Sequence, residues 1–115
     1  MIVPQVTIEL SDSIQVDESL LLHAVNQALD ASGVFRLQDI KSRLYRPKHV
    51  LIGDGGCGQG FVYAKVAILP GRSDAIKAQL GASVLGALKF VLDEDNLGVQ
   101  YGVEVVDLSE HYFKL

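Results

Sequence analysis

The sequence of 115 residues contains one cysteine, Cys57, and no tryptophan. A single cysteine excludes a disulfide within the chain, and a reducing compartment is the default for such a protein. The amino terminus also lacks the basic and apolar regions of a signal peptide, so we expect a cytoplasmic protein. No apolar run approaches a membrane span, and no membrane partner is expected.

Basic charge is scarce as well, with ten Lys and Arg residues against fourteen Asp and Glu residues and a formal charge of −4. An acidic chain is not typical of nucleic-acid-binding proteins, so no nucleic acid is expected as a partner. The charge is unevenly distributed, because five cations and only one acid lie between Arg36 and Lys48. This basic strip indicates either a local anion site or the solvated face of a strand.

Apolar residues are abundant, at 49% of the chain, which is enough for a buried core in a single domain over residues 1–115. Residues 4–10 alternate between apolar and polar side chains, a pattern that predicts a half-buried strand. A helix is predicted from the N-cap Asp17 to about Ser32, with Gly33 ending it in the left-handed conformation. DIKSRLYRPKHVLI is predicted to be a second extended segment, interrupted by Pro47. The same plan then repeats: the strand FVYAKVAIL, a helix that begins after the N-cap Ser73, and a last strand near residues 99–108.

Two strand–helix–strand units favour parallel pairing within each unit. We therefore predict an α+β fold, with a four-stranded mixed sheet and both helices on one face. The other face would be bare and apolar, which implies self-association. Gly81 and Gly86 lie inside the second predicted helix, where each glycine destabilises the helix by about 1 kcal/mol relative to alanine. We expect the close approach of another backbone to compensate for this cost. The aromatic tail HYFKL is expected to pair or dock.

Three patterns with possible chemistry are rejected. Gly53, Gly55 and Gly58 match GxGxxG, but the segment leads into a predicted strand, whereas a dinucleotide site needs a helix there. Cys57 has no neighbouring cation that would lower its pKa, so it is predicted to be a passive loop thiol. The histidines lack the spacing of zinc ligands, so we expect no metal site; they are His23, His49 and His111.

The segment PGRSD lies at a predicted strand-to-helix junction. Backbone N–H groups at the start of a helix attract anions, and Arg72 can bind a carboxylate through two parallel hydrogen bonds. The segment therefore predicts an anion site, and the alternative is an ordinary surface arginine in a tight turn.

Pro4 has two interpretations. Proline is tolerated as the first residue of a strand, which alone explains its position. A proline at a free amino terminus would instead be a secondary amine. Its pKa would fall below the value of about 8 for α-amino groups if it were buried near cations. Such a base can remove a proton next to a carbonyl group, whereas the amide nitrogen of an internal proline cannot.

Three segments together resemble one family over about residues 4–110. PQVTIELSDSI, GVFRLQDIKSR and FVYAKVAILPGRSDAIKAQLGASVLGALK are similar to the 5-carboxymethyl-2-hydroxymuconate isomerases of the tautomerase superfamily. GRSDAIKAQL also resembles the 4-oxalocrotonate tautomerases. The resemblance implies two β-α-β units per subunit and a homotrimer. It also implies an isomerase in the catabolism of aromatic compounds, which moves a proton in an unsaturated 2-hydroxy or 2-oxo polycarboxylate.

The resemblance also implies roles for individual residues. Pro4 matches the terminal proline that acts as general base, and Arg72 matches an arginine that binds carboxylate and polarises the carbonyl. Lys41 stands where the family has an arginine, and Arg43 matches the second basic position of that segment. Lysine keeps the charge but loses the planar guanidinium, which affects specificity. The substrate is expected to be a small-molecule carboxylate, and no cofactor or metal is implied.

Met1, Ile2 and Val3 precede Pro4 in the sequence as written, which would make the Pro4 nitrogen an amide. We expect translation to start at position 3, with a valine codon read as methionine, and the methionine to be removed before Pro4. One alternative is a non-catalytic oligomer of this fold that binds a carboxylate or a partner. Another is a ferredoxin-like ligand-binding or regulatory domain with no tautomerase history.

Overall fold

The computed structural model describes residues 3–56 and 59–115. The predictions about Cys57, and the parts of the leader and glycine motif formed by Met1, Ile2 and Gly58, lie outside the described residues. The elements are, in chain order, β1 (Gln5–Leu10), α1 (Glu18–Ala31), a 3₁₀ turn (Leu37–Asp39), β2 (Lys41–Tyr45), β3 (Phe61–Ile68), α2 (Asp74–Leu92) and β4 (Gln100–Asp107).

The four strands form one mixed sheet in the order β2-β1-β3-β4. Strand β1 runs parallel to β2, and β3 runs parallel to β4, while β1 and β3 are antiparallel in the centre. Each parallel pair is joined by a helix, as strand–helix–strand units require. The predicted α+β fold is therefore confirmed.

The core lies between the sheet and the two helices. Every second residue of the central strands β1 and β3 is fully buried on the helix side, as the alternation in the sequence predicts. The helices contribute stripes spaced by three or four residues; the buried members are Leu21, Val25 and Leu29 of α1 and Leu80, Val84, Leu88 and Leu92 of α2.

The helix boundaries follow the predicted caps. The Asp17 side chain accepts hydrogen bonds from the backbone N–H groups of Ser19 and Leu20, and the Ser73 side chain accepts one from Ile76. Both caps satisfy amide groups that have no partner within the helix. Gly33 has a φ of +76°, the left-handed conformation expected where a helix ends.

The sheet face opposite the helices, called the open face below, is less apolar than predicted. Strand register places Thr7 and Glu9 of β1 beside Lys65 and Tyr63 of β3 on this face, with Glu104 next to Lys65 on β4. The Tyr63 hydroxyl donates a hydrogen bond to Glu104 Oε1. That hydrogen bond, and to a lesser extent burial, raises the pKa of Tyr63. The expectation of an apolar open face was wrong, because charged residues alternate with the buried ones.

Helix α2 departs from two expectations. A Cβ atom added at Gly81 would contact the Val105 side chain at 3.6 Å, and one added at Gly86 would contact nothing within 4 Å, so neither glycine meets another backbone. By length and composition alone, α2 is also apolar enough to cross a membrane. This corrects the expectation that no apolar run approaches a span. In the fold, however, its buried stripe packs into the core.

Candidate active site

The sheet has two ends of different character. The proline end contains Pro4 at the start of β1, Lys41 at the start of β2 and the segment that links β3 to α2. The loop end contains the carboxyl end of β1, the start of β3 and the residues that follow α2. The four residues predicted for the site lie directly before β1, on β2 and in the β3–α2 link.

A cavity of about 260 Å³ opens at the proline end. Its walls are apolar apart from one cation; they are formed by Val3, Phe35, Ile68, Leu69, Pro70, Gly71 and Arg72. Pro4 is buried directly after Val3, and its strand neighbour Gln5 pairs with Ala67 next to Ile68. A small carboxylate molecule would thus meet one positive charge within otherwise apolar walls.

Among the described residues that line this cavity, Arg72 is the only charged one. It is half-buried, and within residues 3–56 and 59–115 it has neither a hydrogen-bond nor an ion-pair partner. Gly71 precedes it with a φ of +111°, a conformation that side-chain-bearing residues rarely adopt. Helix α2 begins two residues after Arg72. The turn therefore places a cation in the cavity wall, two residues before a helix begins.

Lys41 and Arg43 do not line the cavity. The Lys41 backbone N–H donates to the Pro4 carbonyl at 3.2 Å, and its ammonium group donates to the Asp39 carbonyl at 2.5 Å. Register places both cations on the open face, since Lys41 lies opposite Gln5 and Arg43 lies opposite Thr7. The structure thus brings Pro4, Lys41 and Arg72 to one end of the sheet, with the Lys41 and Arg43 side chains on the face away from the helices.

The basic strip between residues 36 and 48 does not form one patch. Arg46 Nε lies 2.5 Å from Glu18 Oε2, and Arg46 Nη1 donates to the Ser11 carbonyl at 2.9 Å. These bonds place Arg46 at the loop end, away from Pro4. The strip therefore divides between the two ends of the sheet, and only part of it lies near the cavity.

Three residues near the proline end were not predicted as part of a site. Phe35 lines the cavity, and nothing in the local sequence distinguishes it from a core residue. Gln5 accepts a hydrogen bond from Arg43 Nη2 at 2.6 Å and donates one to the Tyr112 hydroxyl at 3.1 Å. The aromatic character of the tail was the only signal for Tyr112, and the expected docking of the tail is confirmed for this residue.

The glycine segment after β2 leads into β3, as predicted, and not into a helix. Gly53 and Gly55 have positive φ values of 60° and 87°, which is typical of a turn. The three histidines are exposed and lie on separate segments: His23 on α1, His49 in the loop after β2, and His111 in the tail.

The sequence profile of the family described as 5-carboxymethyl-2-hydroxymuconate isomerase matches residues 4–111. No curated protein sequence matches the chain significantly. The fold is shared with a 5-carboxymethyl-2-hydroxymuconate isomerase from Deinococcus radiodurans R1, at 24% identity and a TM-score of 0.88; the match covers 97% of this chain and 88% of the other.

Two further solved structures share the fold. A 5-carboxymethyl-2-hydroxymuconate delta-isomerase is 20% identical with a TM-score of 0.84, over 97% of this chain and 87% of the other. A symmetric trimer of wild-type fused 4-OT is 19% identical with a TM-score of 0.76, over 96% of this chain and 90% of the other. Because the family profile spans nearly the whole chain, the protein belongs to the 5-carboxymethyl-2-hydroxymuconate isomerase family and is an isomerase of the tautomerase type.

Proposed function

We propose that the protein moves a proton within an unsaturated 2-hydroxy or 2-oxo polycarboxylate, such as 5-carboxymethyl-2-hydroxymuconate, with Pro4 as general base. The observation that supports this proposal is the cavity at the proline end, whose apolar wall includes Val3, the residue before Pro4, and whose charged lining residue is Arg72. Arg72 has no acidic partner among the described residues, so its charge is available for a substrate carboxylate or carbonyl.

The proposed reaction needs an amine at Pro4, and hence a chain that begins there. The amine removes a proton from the substrate, and Arg72 stabilises the negative charge that develops on the oxygen. The protonated amine then returns the proton to a different carbon, so the product is an isomer of the substrate. The apolar walls strengthen both steps, because charges interact more strongly where water is excluded. No cofactor or metal takes part in the proposed reaction.

Removal of the leader would also enlarge the cavity. Val3 is only 1% exposed and forms part of the cavity wall. A chain that starts at Pro4 leaves the volume of that side chain to the substrate. The leader therefore affects the proposed site in two ways, through the chemistry of the Pro4 nitrogen and through the space beside it.

We further propose that the protein is a cytoplasmic homotrimer in a pathway that degrades aromatic compounds. The open face carries both signs of charge, with Lys65 beside Glu104, and the aromatic residues Phe61 and Tyr63, which suits contact with copies of the same chain. In such an assembly Lys41 and Arg43 would bind substrate carboxylates at the subunit boundary. Lysine at position 41 would then favour a substrate that does not need a bidentate contact there.

The direct test is to add a chain that begins at Pro4 to a 2-hydroxymuconate dienol in D₂O. We expect ketonisation well above the rate in buffer, with deuterium incorporated at one carbon. The intact mass of protein from its own host, in parallel, shows whether Pro4 is the natural first residue. A background rate from the trimmed chain, or a native mass that includes Met1 to Val3, would contradict the proposal.

A second function is favoured by the buried position of Val3. In a chain that keeps the leader, Val3 forms part of the cavity wall and the Pro4 nitrogen is an amide. Such a chain would bind a carboxylate beside Arg72 without transferring a proton. Carboxylate binding together with equal, near-background rates for the trimmed and full chains would support this function.

A further inference from the structure

We propose that Gln5 and Tyr112 are positioning residues, which hold the Arg43 guanidinium over the proline end without neutralising its charge. The carboxyl-terminal tail thereby contributes to substrate binding through Tyr112. This inference rests on the proposed function, because it gives Arg43 a substrate carboxylate to bind.

The hydrogen bonds around Gln5 define the orientation of its amide. Arginine has only donors, so the Gln5 oxygen must face Arg43, and Arg43 Nη2 lies 2.6 Å from Gln5 Oε1. The amide nitrogen then points the other way and donates to the Tyr112 hydroxyl at 3.1 Å. One amide thus links Arg43 to the tail, and the bond to Tyr112 restrains the amide in the orientation that Arg43 requires.

The tail reaches Gln5 along a defined path. The Leu108 N–H donates to the Ile68 carbonyl at 2.7 Å, which extends the pairing of β3 and β4 at the proline end. A turn closed by the Tyr112 N–H and the Ser109 carbonyl, at 3.0 Å, then brings Tyr112 to β1. Tyr112 is half-buried, whereas the next residue, Phe113, is 88% exposed. The tail therefore docks through Tyr112 and leaves the neighbouring aromatic residue in solvent.

The partner of Arg43 differs in charge from the partners of other cations in the fold. Arg46 is paired with Glu18 at 2.5 Å, and Lys77 is paired with Asp107 at 3.0 Å. Within the described parts of the chain, Arg43 has no carboxylate partner and is held by a neutral amide. A carboxylate would hold Arg43 at least as firmly, but it would also neutralise the charge that an anionic ligand needs. Orientation without neutralisation is what a binding cation requires.

The preorganisation of Arg43 should affect the Kd for a dicarboxylate. Without the Tyr112 hydroxyl, the Gln5 amide can rotate and Arg43 samples more rotamers, so its ordering cost falls on the binding step. Tyr112→Phe should raise the Kd of the full chain for a dicarboxylate about three- to tenfold; in a chain that begins at Pro4 it should raise the KM by a similar factor, with kcat changed less than twofold. Phe113→Ala is the matched control in the same tail, and it should leave all three values within twofold of the unaltered chain.

Substitution of Gln5 separates positioning of Arg43 from a merely structural bond. Gln5→Glu keeps an acceptor for Arg43 but neutralises it, whereas Gln5→Leu removes the bond and leaves the charge. If charge availability matters, Gln5→Glu raises the Kd more than Gln5→Leu does. If the bond serves only to stabilise the fold, Gln5→Glu is the milder change in both thermal stability and Kd.

The experiment measures binding of adipate, a saturated six-carbon dicarboxylate that cannot be isomerised, to the full chain by calorimetry. Thermal melting and amide hydrogen exchange at residues 108–112 are measured on the same samples. We expect faster exchange in the tail of Tyr112→Phe and unchanged melting of the core. The Kd for adipate should rise in Tyr112→Phe, and it should rise more in Gln5→Glu than in Gln5→Leu. An unchanged Kd in Tyr112→Phe despite faster tail exchange, a milder effect of Gln5→Glu, or no adipate binding to the unaltered chain would overturn the inference.

The outcome is distinguishable from failure of the proposed function. A chain that binds adipate with the predicted order of Kd values, yet never isomerises a dienol when trimmed to Pro4, retains the positioning role and loses the catalytic one. A trimmed chain that is active but insensitive to Tyr112→Phe shows the reverse.

Discussion

The two ends of the sheet differ in the partners of their polar side chains. At the loop end, the Asn96 side chain accepts from the Gln15 N–H at 2.8 Å and donates to the Gln15 and Leu92 carbonyls at 2.9 and 3.0 Å. Arg46 there is bound to a carboxylate and a carbonyl. At the proline end, Arg72 has no partner among the described residues, and Arg43 is held by a neutral amide.

This difference separates stability from binding. A fold gains nothing from a half-buried cation that has no partner, and pairing is the ordinary outcome for such groups. At the loop end, Arg46 and Asn96 follow that rule, and Asn96 joins α2 to the segment that precedes α1, although the buried Tyr101 hydroxyl there has no hydrogen-bond partner among the described residues. The proline end departs from it beside a cavity of about 260 Å³. We therefore assign the loop end to holding the fold together and the proline end to ligand chemistry.

The largest expected effect concerns the leader before Pro4. A chain that begins at Pro4 should exceed the chain that begins at Met1 by about 10²- to 10⁴-fold in kcat, the usual contribution of a general base. Steady-state kinetics on a 2-hydroxymuconate dienol measure this ratio. Circular dichroism should show the same fold in both chains, and equal kcat values would remove Pro4 from the mechanism.

The second-largest expected effect is the decrease of kcat/KM in Arg72→Ala. Loss of a charged hydrogen-bond donor costs about 1.5–3 kcal/mol, or roughly 10- to 150-fold in kcat/KM. The control is Arg46→Ala at the loop end, which should leave kcat/KM within about twofold and reduce the free energy of unfolding by roughly 1 kcal/mol. The comparison of the two ends is wrong if Arg46→Ala is the more damaging change for activity.

Asn96→Ala should reduce the free energy of unfolding by about 1–3 kcal/mol, because the Gln15 N–H and the Leu92 carbonyl lose their hydrogen bonds to the Asn96 side chain. Asn96→Asp keeps the acceptor for the Gln15 N–H and loses the donor, and we expect a loss of similar sign. Urea unfolding measures both values. The kcat of the remaining folded protein should be unchanged, and a fall in kcat with little change in stability would show that the loop end also serves the reaction.

The smallest effect is a gain in stability at Gly86. A side chain there would contact nothing within 4 Å, so Gly86→Ala should stabilise the protein by up to about 1 kcal/mol through helix propensity. The contrasting variant is Gly60→Ala at the loop end, where the new Cβ would lie 2.9 Å from Ser11 Oγ and 3.0 Å from Ser13 Oγ. Thermal melting should move up for the first variant and down for the second.

The features that could be predicted from the sequence are those set by local pattern. The alternation in β1, the caps at Asp17 and Ser73, and the left-handed Gly33 depend on residues close to one another in the chain. The order of these elements was enough for the mixed sheet. Arg72 was identified as a candidate because its turn and its helix start are adjacent in sequence.

The contacts that could not be predicted join distant residues. The bond between Gln5 and Tyr112 spans 107 positions, and Asn96 reaches Gln15 across 81. The burial of Phe35 in the cavity wall depends on how the segment after α1 returns to the sheet. The apolar open face was predicted wrongly because alternation shows that two faces differ but does not show how polar the second one is.

The most direct test of the central assignment is the pKa of the Pro4 nitrogen, measured by ¹⁵N NMR titration in a chain that begins at Pro4. Burial at the proline end and nearby cations should lower it below the value of about 8 that is usual for α-amino groups. We predict that this pKa coincides with the ascending limb of the pH profile of kcat/KM. A Pro4 pKa at or above 8, or an ascending limb that does not match it, would contradict the assignment of Pro4 as the base.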